Sequence, residues 1–200
     1  MEQKKKSELT RNKILEAAET EFSALGLAAA RVDSIANAAG VNKQMIYAHF
    51  SSKEGLYSAV LSRVYARLIA LHERISTLPF GGMDALRYII EENFRFLLND
   101  PSFVRLMLWE NLNGARYLEA AQVVPFGALR TLLNRGICDG EIRADIDVEQ
   151  TLLSLNMFCF SAFSNVHTLS KLVGKDLTTK EELSARAAHI TDVFLRYIRS

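Results

Sequence analysis

The 200 residues are 49% hydrophobic and 24% charged, so the chain is globular, with material for one large domain or two small ones, and disorder is excluded as its main state. With 24 Lys and Arg against 23 Asp and Glu the net charge is +1, and any nucleic-acid role must rest on where the basic residues lie. Cys138 and Cys159 each sit in an apolar stretch, without a disulfide framework or metal-ligand spacing, a usage that fits a reducing cytoplasm.

The polar N-terminus carries Lys4, Lys5, Lys6, Arg11 and Lys13 with no apolar core behind them, so no signal peptide is expected. Proline occurs only at Pro79, Pro101 and Pro125, and apolar residues recur at three and four positions rather than two, which predicts an all-α chain. The first helix places Ile14, Ala18, Phe22 and Leu25 on one face, with Thr10 as its cap and Gly26 as its left-handed stop. Val32, Ile35, Ala36 and Ala39 form a short second helix that Gly40 ends. Asn42 caps a third, Lys43 to Phe50, with Ile46 and Phe50 on one face and Tyr47 at an angle to them. Ser51 and Ser52 are cap candidates for a long fourth helix from Lys53, along which Leu56, Val60, Val64, Leu68 and Leu71 keep a four-residue rhythm.

That helix ends near Pro79, Gly81 and Gly82. Asp84 to Leu98 follows with Leu86, Ile90, Phe94 and Leu97 inward, and Pro101 starts a sixth helix whose apolar side is Val104, Met107, Leu108 and Leu112. Tyr117 to Ile137 is expected as one helix bent or broken at Pro125, then a turn-rich connection from Gly136 to Asp147. Val148 to Val173 and Lys180 to Arg199 close the chain as the last two helices. The first of them carries Leu152, Leu153, Leu155, Phe158, Phe160 and Phe163, too many for one stripe, so one face is expected to serve its own core and another a partner. Ile190, Val193, Phe194 and Ile198 stripe the last helix. The stretch from Leu152 to Phe163, broken by Ser154, Asn156 and Ser161, falls short of the ~20 apolar residues of a membrane helix, and no membrane partner is expected.

The segment from Ile35 to Phe50 has the requirements of a helix-turn-helix: a small residue where two helices cross (Ala36), a glycine in the turn (Gly40), and an apolar residue to pin the second helix (Val41). The open side of that second helix offers Lys43, Gln44, Met45, Tyr47, Ala48 and His49. Lysine, tyrosine and histidine suit phosphate oxygens, and glutamine can pair with adenine, so the mixture suits double-stranded DNA.

From about Ile14 to Leu61 the chain resembles the TetR family of bacterial transcriptional regulators. The likeness runs through Ile14-Leu15-Glu16-Ala17-Ala18, Phe22, Gly26, the helix-turn-helix, and Tyr47-Ala48-His49-Phe50-Ser51-Ser52-Lys53-Glu54-Gly55-Leu56. It implies that Lys43 to Phe50 is the recognition helix, with Lys43, Tyr47, His49 and Lys53 near phosphates and Gln44, Met45 and Ala48 nearest the bases. Where the family has Thr or Ser capping the second helix and touching phosphate, this chain has Ala30 and Arg31, so a cap worth ~1 kcal/mol is expected to be missing and Arg31 to replace the contact by charge. The implied organisation is an N-terminal arm and DNA-binding domain over residues 1–55 and a helical ligand-binding and dimerisation domain over 56–200.

By the same resemblance, helices five to seven enclose an effector pocket and the last two helices pair with a second copy as a four-helix bundle. Gly140-Glu141-Ile142-Arg143, Asn165 to Ser170 and Gly174-Lys175-Asp176-Leu177 are similar to a C-terminal subgroup that includes regulators of nitrogen-heterocycle catabolism. Polar groups set among aromatics mark a small-molecule pocket. The candidates are Trp109, Glu110 and Asn113, near Phe94 and Phe103, and Asn156, Phe160 and Phe163, for a flat aromatic or heterocyclic effector. The expected function is a cytoplasmic homodimeric repressor whose hold on operator DNA a small molecule controls. The alternative is an effector-independent architectural or cell-division protein of the same fold. No catalytic set, metal site or cofactor is expected, because His49, His72, His167 and His189 are scattered and no glycine-rich phosphate loop follows a strand.

Overall fold

The computed structural model describes residues 2–77, 79, 82–118 and 126–199. Among them are ten helices: α1 (Glu2–Ala29), α2 (Val32–Ala39), α3 (Lys43–Phe50), α4 (Lys53–Ser76), α5 (Gly82–Asn99), α6 (Pro101–Leu112), α7 (Gly127–Cys138), α8 (Val148–Ser164), α9 (Val166–Val173) and α10 (Lys180–Ile198). The described residues form no strand, only an isolated antiparallel bridge between Ile142 and Arg199. The fold is all-α, as the three- and four-residue rhythm predicts. The chain divides into two compact units, Met1–Ala66 with Ser102–Val123 and Arg67–Pro101 with Val124–Ser200.

In the first unit α1 reaches back to Glu2, well before the expected cap at Thr10. Thr10 lies inside the helix and its hydroxyl donates to the Lys6 carbonyl at 3.0 Å. The Glu, Gln and Lys residues of the arm are good helix formers, so nothing in them stops the helix from continuing. Ile14, Ala18 and Phe22 are fully buried, but Leu25 is exposed. Just beyond it the helix breaks at Gly26, whose φ of 70° and ψ of 173° belong to a region that only glycine occupies without strain. A Cβ at Gly26 would also lie 2.8 Å from the Trp109 ring. That ring is held by its indole N–H, which donates to the Ser23 carbonyl at 3.3 Å.

Two stripes differ from expectation. On α6 the buried residues are Phe103, Val104, Leu106, Met107 and Glu110, whereas Leu108 is exposed and Leu112 is 77% exposed. Hydropathy assigns an acid outward, and Glu110 points inward, which turns the helix about its axis. On α10 the buried set is Leu183, Ile190, Thr191, Phe194 and Ile198, and Val193 stays exposed.

In the second unit α5 packs against α7, α8 and α10, with Leu86, Ile90, Phe94 and Leu97 inward as expected. Ile142 is wedged where α5 begins and α7 ends: a Cβ on Gly136 would lie 2.6 Å from it and one on Gly82 2.9 Å. The Arg143 N–H then donates to the Ile198 carbonyl at 3.0 Å and ties this connection to the end of α10. Glu92 on α5 is buried and accepts from the Arg74 guanidinium at 3.2 Å and from that of Arg95. Of the helix expected from Tyr117 to Ile137, bent or broken at Pro125, Tyr117 and Leu118 lie in a turn and α7 covers Gly127–Cys138, with Pro125 outside the described residues. Val148 to Val173 is two helices, because Asn165, a poor helix former, takes φ −110° and ψ 8° between α8 and α9.

Gly26→Ala is expected to destabilise the chain by about 2–4 kcal/mol, from the strained φ plus the collision with Trp109, while Gly40→Ala, with open space around it, costs only about 1–2 kcal/mol. Urea denaturation of the two variants measures the difference. Cys138 is exposed, whereas burial pushes the Cys159 thiol up to about 12. A thiol reagent at pH 8 is therefore expected to modify Cys138 in the native protein and Cys159 only after unfolding.

Candidate nucleic-acid interface

The turn between α2 and α3 is closed by backbone bonds at Gly40, which takes φ 65° and ψ 36°. Its N–H donates to the Asn37 carbonyl at 3.2 Å, and the Val41 N–H to the Ala36 carbonyl at 3.0 Å. Asn42 caps α3: its Oδ1 accepts from the Met45 N–H at 2.8 Å. Ile46 and Phe50 are the buried residues of α3, so Lys43, Gln44, Met45, Tyr47 and Ala48 are all exposed. His49 is half-buried, its ring tilted against Phe50 at 6.0 Å between centroids. The Arg11 guanidinium lies 5.2 Å from the centre of the Phe50 ring.

The cations around this face are partly engaged. The Lys43 ammonium bonds Asp33 at 3.0 Å, and that hydrogen bond, then the carboxylate charge, holds its pKa above the ordinary lysine value. Lys53 opens α4 and donates to the Ala28 carbonyl at 3.2 Å. Arg31 occupies the N-cap position of α2, is exposed, and makes no side-chain cap. Its backbone N–H donates to the Glu21 carboxylate at 3.0 Å, so a residue of α1 satisfies one free donor at the start of α2, but not the N–H groups that a Ser or Thr cap would take.

The turn from α3 to α4 explains the run Phe50-Ser51-Ser52-Lys53-Glu54-Gly55. Ser51 takes φ 64°, and the Ser52 N–H donates to the Phe50 carbonyl at 2.7 Å, a tight three-residue reversal. The Ser52 hydroxyl accepts from the Gly55 N–H at 2.9 Å and caps α4. A Cβ at Gly55 would stand 2.3 Å from the Phe50 carbonyl oxygen, so the reversal has room only over glycine. Sequence reasoning assigned Gly55 no role, although its place three residues after Ser52 is the available signal.

The expected effector residues are divided between the two units. Trp109 packs at the Gly26 break, Glu110 is buried, and Asn113 is exposed with its amide donating to the Trp109 carbonyl at 2.7 Å. All three lie in the first unit, whereas Asn156, Phe160 and Phe163 lie in the second. Asn156, itself exposed, borders a small cavity with His72, Asn93 and Cys159, of about 10 Å³, too small for an organic ligand. His72 and the Asn93 side-chain oxygen are 3.2 Å apart there. Phe163 instead lies edge-to-face with Phe94, 5.3 Å between centroids, in a groove of about 590 Å³ between α5, α8 and α10.

A short helix that leads through a glycine turn into a capped helix, bare on the side away from the core, makes the N-terminal part a helix-turn-helix DNA-binding domain. Residues 14–60 match bacterial regulatory proteins of the tetR family, and residues 83–194 match the tetracyclin repressor-like C-terminal domain. The chain belongs to the TetR family of transcriptional regulators and, like the family, is a regulator rather than an enzyme. It is similar to the HTH-type transcriptional repressor NicS of Pseudomonas putida, with 30% identity over 95% of this chain and 92% of that one. Among solved structures it is similar to the Streptomyces coelicolor protein SCO4942, with TM-score 0.74, 25% identity, and coverage of 94% of this chain and 98% of that one. It also has the fold of the Bacillus subtilis regulator FadR, solved in complex with stearoyl-CoA, with TM-score 0.76 and 20% identity over 94% of this chain and 98% of that one. Among the described residues no helix is long and apolar enough to cross a membrane.

Removing the anionic partner of Lys43 is expected to strengthen DNA binding. Asp33→Asn should bind duplex DNA several-fold tighter than wild type at low salt, with the gap closing as salt is raised. Fluorescence anisotropy titrations at two salt concentrations measure it.

Proposed function

We propose that the chain is a homodimeric cytoplasmic repressor, that residues 1–55 read operator DNA, and that residues 56–200 dimerise and bind a small molecule that controls operator affinity. The observation that carries the reading is the bare side of α3, with Lys43, Gln44, Met45, Tyr47 and Ala48 exposed opposite buried Ile46 and Phe50. Lys43 and Tyr47, with His49, Lys53 and Arg31 around them, suit phosphate oxygens, while Gln44 offers the paired donor and acceptor that an adenine edge accepts.

Dimerisation is supported by apolar residues left exposed at one-turn spacing on two helices of the second unit. Leu153, Met157 at 67% exposure and Phe158 lie on α8, and Val193 and Tyr197 on α10. A chain that leaves so much apolar surface on adjacent helices is suited to cover it with a second copy. Effector control is supported by the groove beside Phe94 and Phe163, whose size is that of a drug-sized ligand site. Its aromatic floor suits a flat aromatic or heterocyclic compound. Such a ligand acts by binding one spacing of the two reading heads better than the other, with a coupling of about 1–3 kcal/mol.

Tyr47→Ala and Lys43→Ala are expected to weaken binding to every duplex and leave the dimer intact by light scattering. Gln44→Ala is expected to relax sequence preference, at about 1–3 kcal/mol for the base it pairs with. The assay is anisotropy with DNA from upstream of the chain's own gene beside a scrambled duplex. If all three variants bind like wild type, α3 is not the reading helix.

A further inference from the structure

The groove beside Phe94 and Phe163 lies wholly in the second unit, and its charges are unevenly placed. Ile142 stands against Gly82 at the start of α5 and pairs with Arg199 just beyond the end of α10. The two helices therefore run antiparallel, and the start of α10 lies beside the end of α5. Lys180, the first residue of α10, thus shares one end of the groove with Arg95 and Leu98, while Arg87 and Asp192 line the other. At a helical rise of ~1.5 Å per residue, Arg87 and Leu98 are about 16 Å apart along α5.

The Lys180 end is cationic. Among the described residues the Lys180 ammonium, and the Ser184 hydroxyl one turn further on, have no hydrogen bond or ion pair. Arg95 gives one amino group to Glu92, whose charge Arg74 also meets, and its other N–H groups are without partners among the described residues. The acids of the lining, Glu91 and Asp192, both stand beyond Phe94 towards the far end, and Arg196 already holds Asp192 at 2.9 Å. Between the ends the wall is apolar: Phe163 stands edge-to-face with Phe94, and Ala187 and Ala188 of α10 leave about 590 Å³ open beside them. Ser184 and Val193 are nine residues apart, as are Ala188 and Tyr197, which puts each pair on opposite sides of α10. The apolar surface proposed to meet a second copy therefore leaves the groove open.

An apolar body with a carboxylate at one end fits this layout. The ammonium and guanidinium supply charge-assisted hydrogen bonds to its oxygens, and the aromatic wall takes its rings. A cation of the same shape meets like charges at Lys180 and Arg95, and a neutral amide forgoes the attraction. We infer that the groove takes an aromatic carboxylate, with the carboxylate held by Lys180, Arg95 and Ser184 and the rings against Phe94 and Phe163. The inference rests on the groove reading above and gives that ligand its charge and its direction between α5 and α10.

The test is isothermal titration calorimetry of the whole chain with three probes of one shape, naphthalene bearing a carboxylate, an amide or an aminomethyl group at the same carbon. The carboxylate is expected to bind saturably and about tenfold tighter than either of the others. Lys180→Met removes a charge at an exposed position, and should weaken the carboxylate about fivefold without affecting the amide. Arg87→Met removes the same charge from the far end, beyond the reach of an unscreened contact, and should weaken it less than about twofold. Phe163→Ala should weaken all three probes. The inference is overturned if the amide or the amine binds as tightly as the carboxylate, if folded Lys180→Met binds the carboxylate like wild type, or if Arg87→Met costs as much as Lys180→Met. Should the Met variants fail to fold, the order of the three probes on wild type decides the matter. Equal binding of the three probes, weakened together in Phe163→Ala, overturns the anionic ligand and leaves the groove reading in place, whereas no binding by any of them overturns both.

Discussion

An isolated helix of fewer than ~12–15 residues has little stability in water, and α3 has eight, so its existence depends on the burial of Ile46 and Phe50. Those two side chains are one turn apart and fix the rotation of the helix about its axis. Everything proposed for DNA follows from that rotation, because it decides which of the remaining residues face outward. The ends are fixed by different means: the Asn42 cap at the start, and at the finish the Ser51 reversal over Gly55. The helix proposed to read DNA therefore owes its position to residues other than the ones proposed to touch it.

The same unit recruits α6, a helix distant along the chain. Trp109 fills the break that Gly26 makes in α1, and Glu110 sits among Tyr57, Tyr65 and Tyr117. A break that only glycine tolerates and a ring that fits over it make one feature, since neither is useful without the other. Glu110 is a different case. Its carboxyl is buried against the Tyr57 hydroxyl and the Tyr117 N–H, partners that the sequence of α6 alone does not reveal.

In the second unit the core is built on α5, and two exposed apolar sets remain outside it. One runs along α8 and α10; the other is Leu169, Leu172 and Val173 on α9, a helix with no buried residue. His72, Asn93 and Asn156 border almost no space, whereas the groove beside Phe94 and Phe163 is open and large. Polar residues scattered on α4, α5 and α8 give no indication in the sequence of which of them meet. Asn156 and Phe163 lie seven residues apart on α8, yet they border different cavities.

The helical class, the limits of α2 and α3, the Asn42 cap, the Gly40 turn and the exposure of Lys43, Gln44, Met45, Tyr47 and Ala48 were legible in the sequence, whereas His49, expected outward, is half-buried against Phe50. Each depends on neighbours within a few positions: periodicity, caps and glycine turns are local chemistry. The family was legible for the same reason, since its motif is one continuous run. Only the tertiary structure decided that Glu110 faces inward, that Leu108 and Leu112 do not, that Trp109 belongs with Gly26, and that Glu21 meets the Arg31 N–H at the start of α2. In each of these a distant segment supplies the partner, and hydropathy read along one helix contains no information about what that helix will meet.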